Sequence, residues 1–298
     1  MKKYRVILGT AQLGLDYGIN NFLGKPNSRQ SIKILEYAYS YGIDYLDTAP
    51  TYGNSEEIIG NFIRARSLEK KINVISKYKS NNPPTRSISI CKSIEEEVVK
   101  SLSRLNINCL YGYLLHNPDD IYNQEIMECL EKCKQRRLIS GYGVSTYNEQ
   151  DALFAVNEYP IDFIQVPYNV FDTRLDRTKF FVTTKKNNIK VFARSIYLQG
   201  LILMDCDKIP RKLKAITPYL KTFDSIVGKY NLTRKEAALL FVYHSSGIDK
   251  ILIGVDNIQQ IKENIGVLKK DLDIKEIACE IREKIKITDE KLLQPNLW

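Results

Sequence analysis

Short apolar runs of strand length recur along the chain, and segments with helical spacing separate them. The runs are 4–9 (YRVILG), 43–47 (IDYLD), 72–77 (INVISK), 111–116 (YGYLLH), 139–145 (ISGYGVS), 161–166 (IDFIQV), 190–195 (KVFARS) and 250–254 (KILIG). A Gly-containing loop extends from the first run to Pro26. Then 28–41 places Ile32, Leu35, Ala38 and Tyr39 on one helical face. Further helices are expected over 55–66, over 87–105 after a break at Pro83–Pro84, and over 124–137. A short one follows Asn148, and a polar helical stretch follows Pro167. The stretch 196–232 reads as a longer insertion. Thr233 with Glu236 resembles a capping box that opens a helix over 234–245, and helices over 257–270 and 274–287 lead to a tail ending in Trp298.

Eight strand–helix units in alternation predict an α/β fold. Most runs are apolar throughout, as strands of a parallel sheet covered on both faces must be. Eight such units in 298 residues predict a single (β/α)8 TIM barrel over 1–298. A doubly wound sheet is the alternative. Against it, the first run is followed by no G-x-G-x-x-G, and no G-x-x-x-x-G-K-[ST] occurs anywhere.

Composition narrows the function classes. No apolar stretch approaches the roughly 20 residues of a membrane span, and the N-terminal apolar run is too short for a signal sequence. A cytoplasmic enzyme is expected. The net charge is +9, but the lysines are dispersed and no basic run is interleaved with aromatic residues, so no nucleic-acid partner is expected. The charge suits either a solvated surface or attraction of small anions. Six cysteines occur, none in C-x-x-C spacing, so a reduced chain without a metal site is expected. Oligomeric state is left open.

Chemistry in such a barrel lies at the carboxyl ends of the strands. The residues expected there are Thr10, Asp47, Lys77, His116, Ser145, Gln165, Ser195 and Gly254. Three successive runs end in an acid, a base and an imidazole, and Tyr52 lies five residues beyond the acid. Each of these residues alone has an ordinary structural explanation; four together at one face point to chemistry. A phenol with a pKa of about 10 is a poor acid or base near neutrality. A neighbouring ammonium favours the phenolate, and a carboxylate keeps that ammonium charged. A histidine opposite can orient a carbonyl oxygen. The set suits proton transfer to an oxygen while a hydride attacks the carbon.

At these residues the sequence resembles the aldo-keto reductases. The matching pieces are Leu8-Gly9-Thr10, Asp47-Thr48-Ala49 with Tyr52-Gly53, Lys77, His116, Gly143-Val144-Ser145, Gln165, and Gly254 with Glu263-Asn264. The resemblance implies an NAD(P)H-dependent reduction of a small-molecule aldehyde or ketone. It implies Tyr52 as general acid, Lys77 tuning it, Asp47 pairing with Lys77, and His116 positioning the carbonyl. Thr10, Asp47, Ser145, Gln165, Arg194, Ser195, Leu198, Gly200, Gly254, Asp256, Gln260, Glu263 and Asn264 would then contact the cofactor. Of these, Ser145 and Gln165 would hold the carboxamide, 195–200 would run along the pyrophosphate, and Glu263 and Asn264 would meet the adenine.

Several positions depart from the family pattern. Thr146 stands where many members have Asn, and Arg194 where many stack a tyrosine on the nicotinamide; a guanidinium there would favour the reduced cofactor. No cation stands among Gly254-Val255-Asp256-Asn257 and Gln260, and Asp256 would repel a 2′-phosphate, so the cofactor reading leans to NADH. Two rival functions stay open: a cofactor-binding regulatory or slow-turnover member, and a Schiff-base aldolase using Lys77. Substrate choice is expected to depend on 10–26, 117–124, 196–232 and the tail. Residues 15–26 and 194–200 resemble a bacterial subgroup linked to sugar and polysaccharide pathways, which suggests a sugar-derived carbonyl.

Overall fold

A computed structural model describes residues 3–80, 89–270 and 272–298. The eight strands are β1 (Val6–Gly9), β2 (Tyr45–Asp47), β3 (Asn73–Tyr78), β4 (Gly112–Leu115), β5 (Tyr142–Ser145), β6 (Phe163–Pro167), β7 (Lys190–Arg194) and β8 (Lys250–Gly254). They close in sequence order into one parallel barrel, with β8 pairing back on β1. The helices are α1 (Ala11–Gly14), α2 (Ser28–Ser40), α3 (Ser55–Arg66), α4 (Ile90–Leu105), α5 (Gln124–Gln135), α6 (Glu149–Glu158), α7 (Phe180–Lys186), α8 (Thr217–Lys229), α9 (Arg234–Tyr243), α10 (Ile258–Leu268), α11 (Lys275–Lys284) and α12 (Glu290–Leu293). The barrel alternation expected from the sequence is therefore present.

Local signals explain several element starts. Asn148 caps α6 by accepting from the Asp151 N–H, and Thr233 with Glu236 forms the capping box of α9. The 196–232 stretch is more ordered than an insertion. It holds two 3-10 turns and then α8, which has Pro218 in its first turn and buries Leu220, Phe223, Ile226 and Val227. The Pro83–Pro84 break and the expected helix start at 87 lie outside the described residues.

The strands divide their side chains by the period of two. Outward residues such as Val6, Leu8, Leu46, Val74 and Val144 join the shell of core between barrel and helices. Inward, Ile7, Ile75, Leu114, Phe163 and Phe192 form a separate apolar plug. Two residues further along the strands comes the next inward layer: Gly9, Asp47, Lys77, His116, Ser145, Gln165, Arg194 and Gly254. All eight line one cavity at the carboxyl end. Five expected strand ends are corrected here. β1 ends at Gly9, β4 at Leu115 and β7 at Arg194, so Thr10, His116 and Ser195 stand one step beyond the strands; β3 runs one residue past Lys77 to Tyr78, and β6 two past Gln165 to Pro167.

The expectation of a fully reduced chain is also corrected. Cys91 at the start of α4 and Cys129 in α5 are joined as a disulfide, with Cα atoms 5.0 Å apart; four cysteines are free. Among the described residues, no helix is long and apolar enough to cross a membrane, and no group of three or more His, Cys, Asp and Glu is placed to hold a metal.

Candidate active site

The cavity over the apolar plug has a volume of about 440 Å³. At its floor, Lys77 and Asp47 are both almost fully buried, and the Lys77 ammonium donates to Asp47 Oδ1 at 2.5 Å. The same ammonium donates to Thr48 O at 3.0 Å and lies 3.3 Å from the Tyr52 hydroxyl. Gln165 donates to the other Asp47 oxygen. The carboxylate thus has two donors and the ammonium three oxygen neighbours, which a buried ion pair needs to offset desolvation.

The loop carrying Tyr52 is fixed by close backbone contact. Thr10 accepts from Ser55 Oγ at 2.7 Å and donates to Asp47 O at 2.8 Å. A Cβ on Gly14 would lie 1.7 Å from Tyr52 O, and one on Gly53, whose φ is +56°, would lie 2.3 Å from Gly14 O. Only glycines let these two chain segments touch. The rings of Tyr52 and His116 meet edge to face, 5.9 Å apart.

Electrostatics assigns protonation states. Burial pulls the Lys77 ammonium towards deprotonation, but the Asp47 carboxylate and the Tyr52 oxygen outweigh it, and its pKa stands above the ordinary value. Burial also raises the Tyr52 phenol, and the opposing pull of Lys77 does not cancel that rise. The expected lowering by Lys77 is therefore present as one contribution, but the net direction is upward and the phenol keeps its proton. Burial, then Lys77, then Arg194, lower His116 to about 3, so its imidazole is neutral. Its Nδ1 lies 3.3 Å from Thr51 Oγ1. With Nδ1 accepting from Thr51, Nε2–H is the donor left for a ligand.

The remaining expected contacts divide clearly. Thr10, Ser145, Gln165, Arg194, Ser195, Gly200, Gly254, Asp256, Gln260, Glu263 and Asn264 all line the cavity. Leu198 does not: its side chain is fully buried in the outer core. It belongs to a run with positive φ at Ser195, Leu198, Gln199 and Gly200. Asp256 is held by Gln260, which donates to it at 3.0 Å, and burial raises its carboxyl. Asn264 accepts from the Tyr197 hydroxyl at 3.0 Å. Glu263 pairs with Lys235, which lowers its carboxyl.

Lys235, on the first turn of α9, and Tyr147 also line the cavity and were not identified from the sequence; Gln12, Tyr17, Asn20 and Asn296 line it too, from the 10–26 stretch and the tail expected to bear on substrate choice. These come from loops and helix ends that carry no strand-end signal. A cavity of this volume, lined by glycines and by amide, hydroxyl and charged residues, suits a polar ligand such as a dinucleotide.

The closed parallel barrel has a phenol beside a buried Lys–Asp pair at its mouth. A model described as "Aldo/keto reductase family" matches residues 5–286, and the chain belongs to that family. It is 26% identical over 286 residues to the uncharacterized oxidoreductase YqkF of Bacillus subtilis (strain 168), covering 87% of this chain and 89% of that one. It is also 26% identical over 307 residues to the NADH-specific methylglyoxal reductase of Escherichia coli (strain K12), covering 90% of each. Among solved structures, the holo form of the aldo-keto reductase AKR11C1 from Bacillus halodurans superposes with a TM-score of 0.75 at 21% identity, over 97% of this chain and 95% of that one, a likeness of fold. The family carries out carbonyl reduction with nicotinamide cofactors.

Proposed function

We infer that this chain reduces an aldehyde or ketone to the alcohol with NAD(P)H, using Tyr52 as the proton donor. The observation that carries this reading is the Asp47–Lys77–Tyr52 chain of contacts, closed by a neutral His116. Gly9, Thr10, Ser145, Gln165, the 195–200 main chain, Gly254, Gln260, Glu263 and Asn264 would hold the cofactor. When bound, the reduced nicotinamide supplies a hydride to the carbonyl carbon. His116 donates to the carbonyl oxygen and fixes its position beside Tyr52. Tyr52 passes its proton to that oxygen as negative charge builds on it, and the Lys77 ammonium stabilises the phenolate left behind. Asp47 holds Lys77 charged and in place. In oxidation the same phenol runs in reverse as a base.

A charged Lys77 engaged by three oxygens is no amine nucleophile, which argues against Schiff-base chemistry. For the cofactor we favour NADH. Asp256 stands near the expected ribose end, Lys235 is already paired with Glu263, and one similar protein is an NADH-specific reductase. Sugar-derived carbonyls are the first substrates to try. The test is a turnover screen with both cofactors against simple aldehydes, ketoses and nucleotide-linked keto sugars, with Tyr52→Phe as control. Multiple turnovers in the wild type, reduced about 10²- to 10⁴-fold in the variant, support the reading. Cofactor binding with equal inertness in both proteins would favour the regulatory role. A hundredfold preference for NADPH would overturn the cofactor reading.

A further inference from the structure

One cation at the barrel mouth has no counter-ion. The charged side chains lining the cavity are Asp47, Lys77, Arg194, Lys235, Asp256 and Glu263. Lys77 pairs with Asp47 and Lys235 with Glu263. Asp256 is capped by Gln260. Arg194 forms no ion pair among the described residues. Two positions beyond Phe192 of the apolar plug, it occupies the same inward layer as Asp47, Lys77 and His116.

The Arg194 guanidinium is held, not mobile. Its Cζ lies 4.5 Å from the centre of the Tyr147 ring. Nη2 donates to Thr146 O at 2.7 Å and Nη1 lies 3.2 Å from Ser195 Oγ. Those contacts use two of the five N–H groups of an arginine. Nε is buried and has no partner. With no surface open to the cavity, Nε is not the donor offered to a ligand; one N–H on each of Nη1 and Nη2 stays uncommitted, and paired guanidinium N–H groups match two oxygens of a carboxylate or phosphate. Its charge reaches His116, where it helps keep the imidazole neutral.

We propose that Arg194 recognises an anionic group, a carboxylate or phosphate, on the carbonyl substrate itself. The proposal rests on the reductase reading of this cavity and names the substrate class: carbonyl compounds carrying an acid group a few bonds from the reacting carbon. Tyr52 and His116 hold the carbonyl end, and Arg194 holds the acid end.

The experiment compares matched pairs at saturating cofactor, so that any change in cofactor affinity cancels. The pairs are succinic semialdehyde with butanal, and glyceraldehyde 3-phosphate with glyceraldehyde. The wild type is expected to favour the anionic member of at least one pair by about 10- to 100-fold in kcat/KM, the range for hydrogen bonds to charged groups. Arg194→Gln is expected to reduce that ratio below about threefold, and Arg194→Lys to keep part of it because the charge remains but the fork is lost. The source is read from which pair responds. No preference in the wild type, or an unchanged ratio in Arg194→Gln, overturns the proposal. Where the wild type turns over neither member of either pair, the reductase reading is decided by the turnover screen above, and the anion site is judged by calorimetry. Succinate against 1,4-butanediol, and glycerol 3-phosphate against glycerol, are then titrated into wild type and Arg194→Gln. Binding of an anion that weakens at least tenfold in the variant supports the site; equal affinities, or no anion binding, overturn it.

Discussion

Replacing Lys77 by Met isolates what the buried pair contributes. The side chains of Lys77 and Asp47 are 2% and 3% exposed. Methionine fills most of the lysine stem, so little packing is lost, but Asp47 keeps only the Gln165 donor. Removing one partner of a buried pair costs about 3–5 kcal/mol, because the other charge stays buried without compensation. The double variant Asp47→Asn/Lys77→Met carries no charge at the pair and leaves unmet only neutral acceptors such as Thr48 O, a cost of about 1–3 kcal/mol. Urea unfolding followed by circular dichroism is therefore expected to rank the double variant above Lys77→Met in stability. The pH dependence has a definite sign. A lone buried carboxylate has a raised pKa in the folded state, so that state takes up a proton before the unfolded chain does. The deficit of Lys77→Met relative to wild type should then shrink as pH falls through that raised pKa. A single variant within about 1 kcal/mol of wild type, or a double variant no better than the single, would refute the account of a desolvated pair held by mutual charge.

Three further outcomes follow. His116 is neutral, with its pKa lowered to about 3, so its imidazole resonance, assigned by loss in His116→Asn, should show no protonation step near pH 6.5; a step there would mean the ring is less buried than described. Gly14→Ala pushes a Cβ into Tyr52 O, an overpacking that costs about 1–3 kcal/mol, and it should also slow reduction by moving Tyr52; wild-type stability and rate together would sink the close-contact argument. Denatured without reductant, the protein should show four titratable thiols, rising to six after reduction, and reduction should lower stability by up to about 4 kcal/mol for a 38-residue separation; six thiols at the outset would show the pair to be reduced.

How far the sequence could be read depends on how local each signal is. The barrel is legible because strands buried on both faces are largely apolar along their length, and eight such runs with helical segments between them admit few architectures. Asp47, Lys77 and His116 stand out because each ends an apolar run, and the period of two then carries them into one inward layer above Ile75 and Leu114. The same period applied to β7 selects Arg194 over Ser195, and to β1 Gly9 over Thr10, so those ends were readable with a stricter count. The apolar spacing of Leu220, Phe223, Ile226 and Val227 behind Pro218 was likewise sufficient for α8. Other features had no local signal. Cys91 and Cys129 meet only because α4 packs on α5, and Lys235 faces the cavity only because α9 starts beside α10. The net rise of the Tyr52 pKa is of this second kind. Sequence shows that an ammonium is near, which lowers it, while only packing shows how completely the phenol is desolvated, which raises it further. The outcome changes the chemistry proposed for the free protein: as proton donor Tyr52 would start with its proton in place, and Lys77 would act chiefly on the phenolate formed once the proton has left.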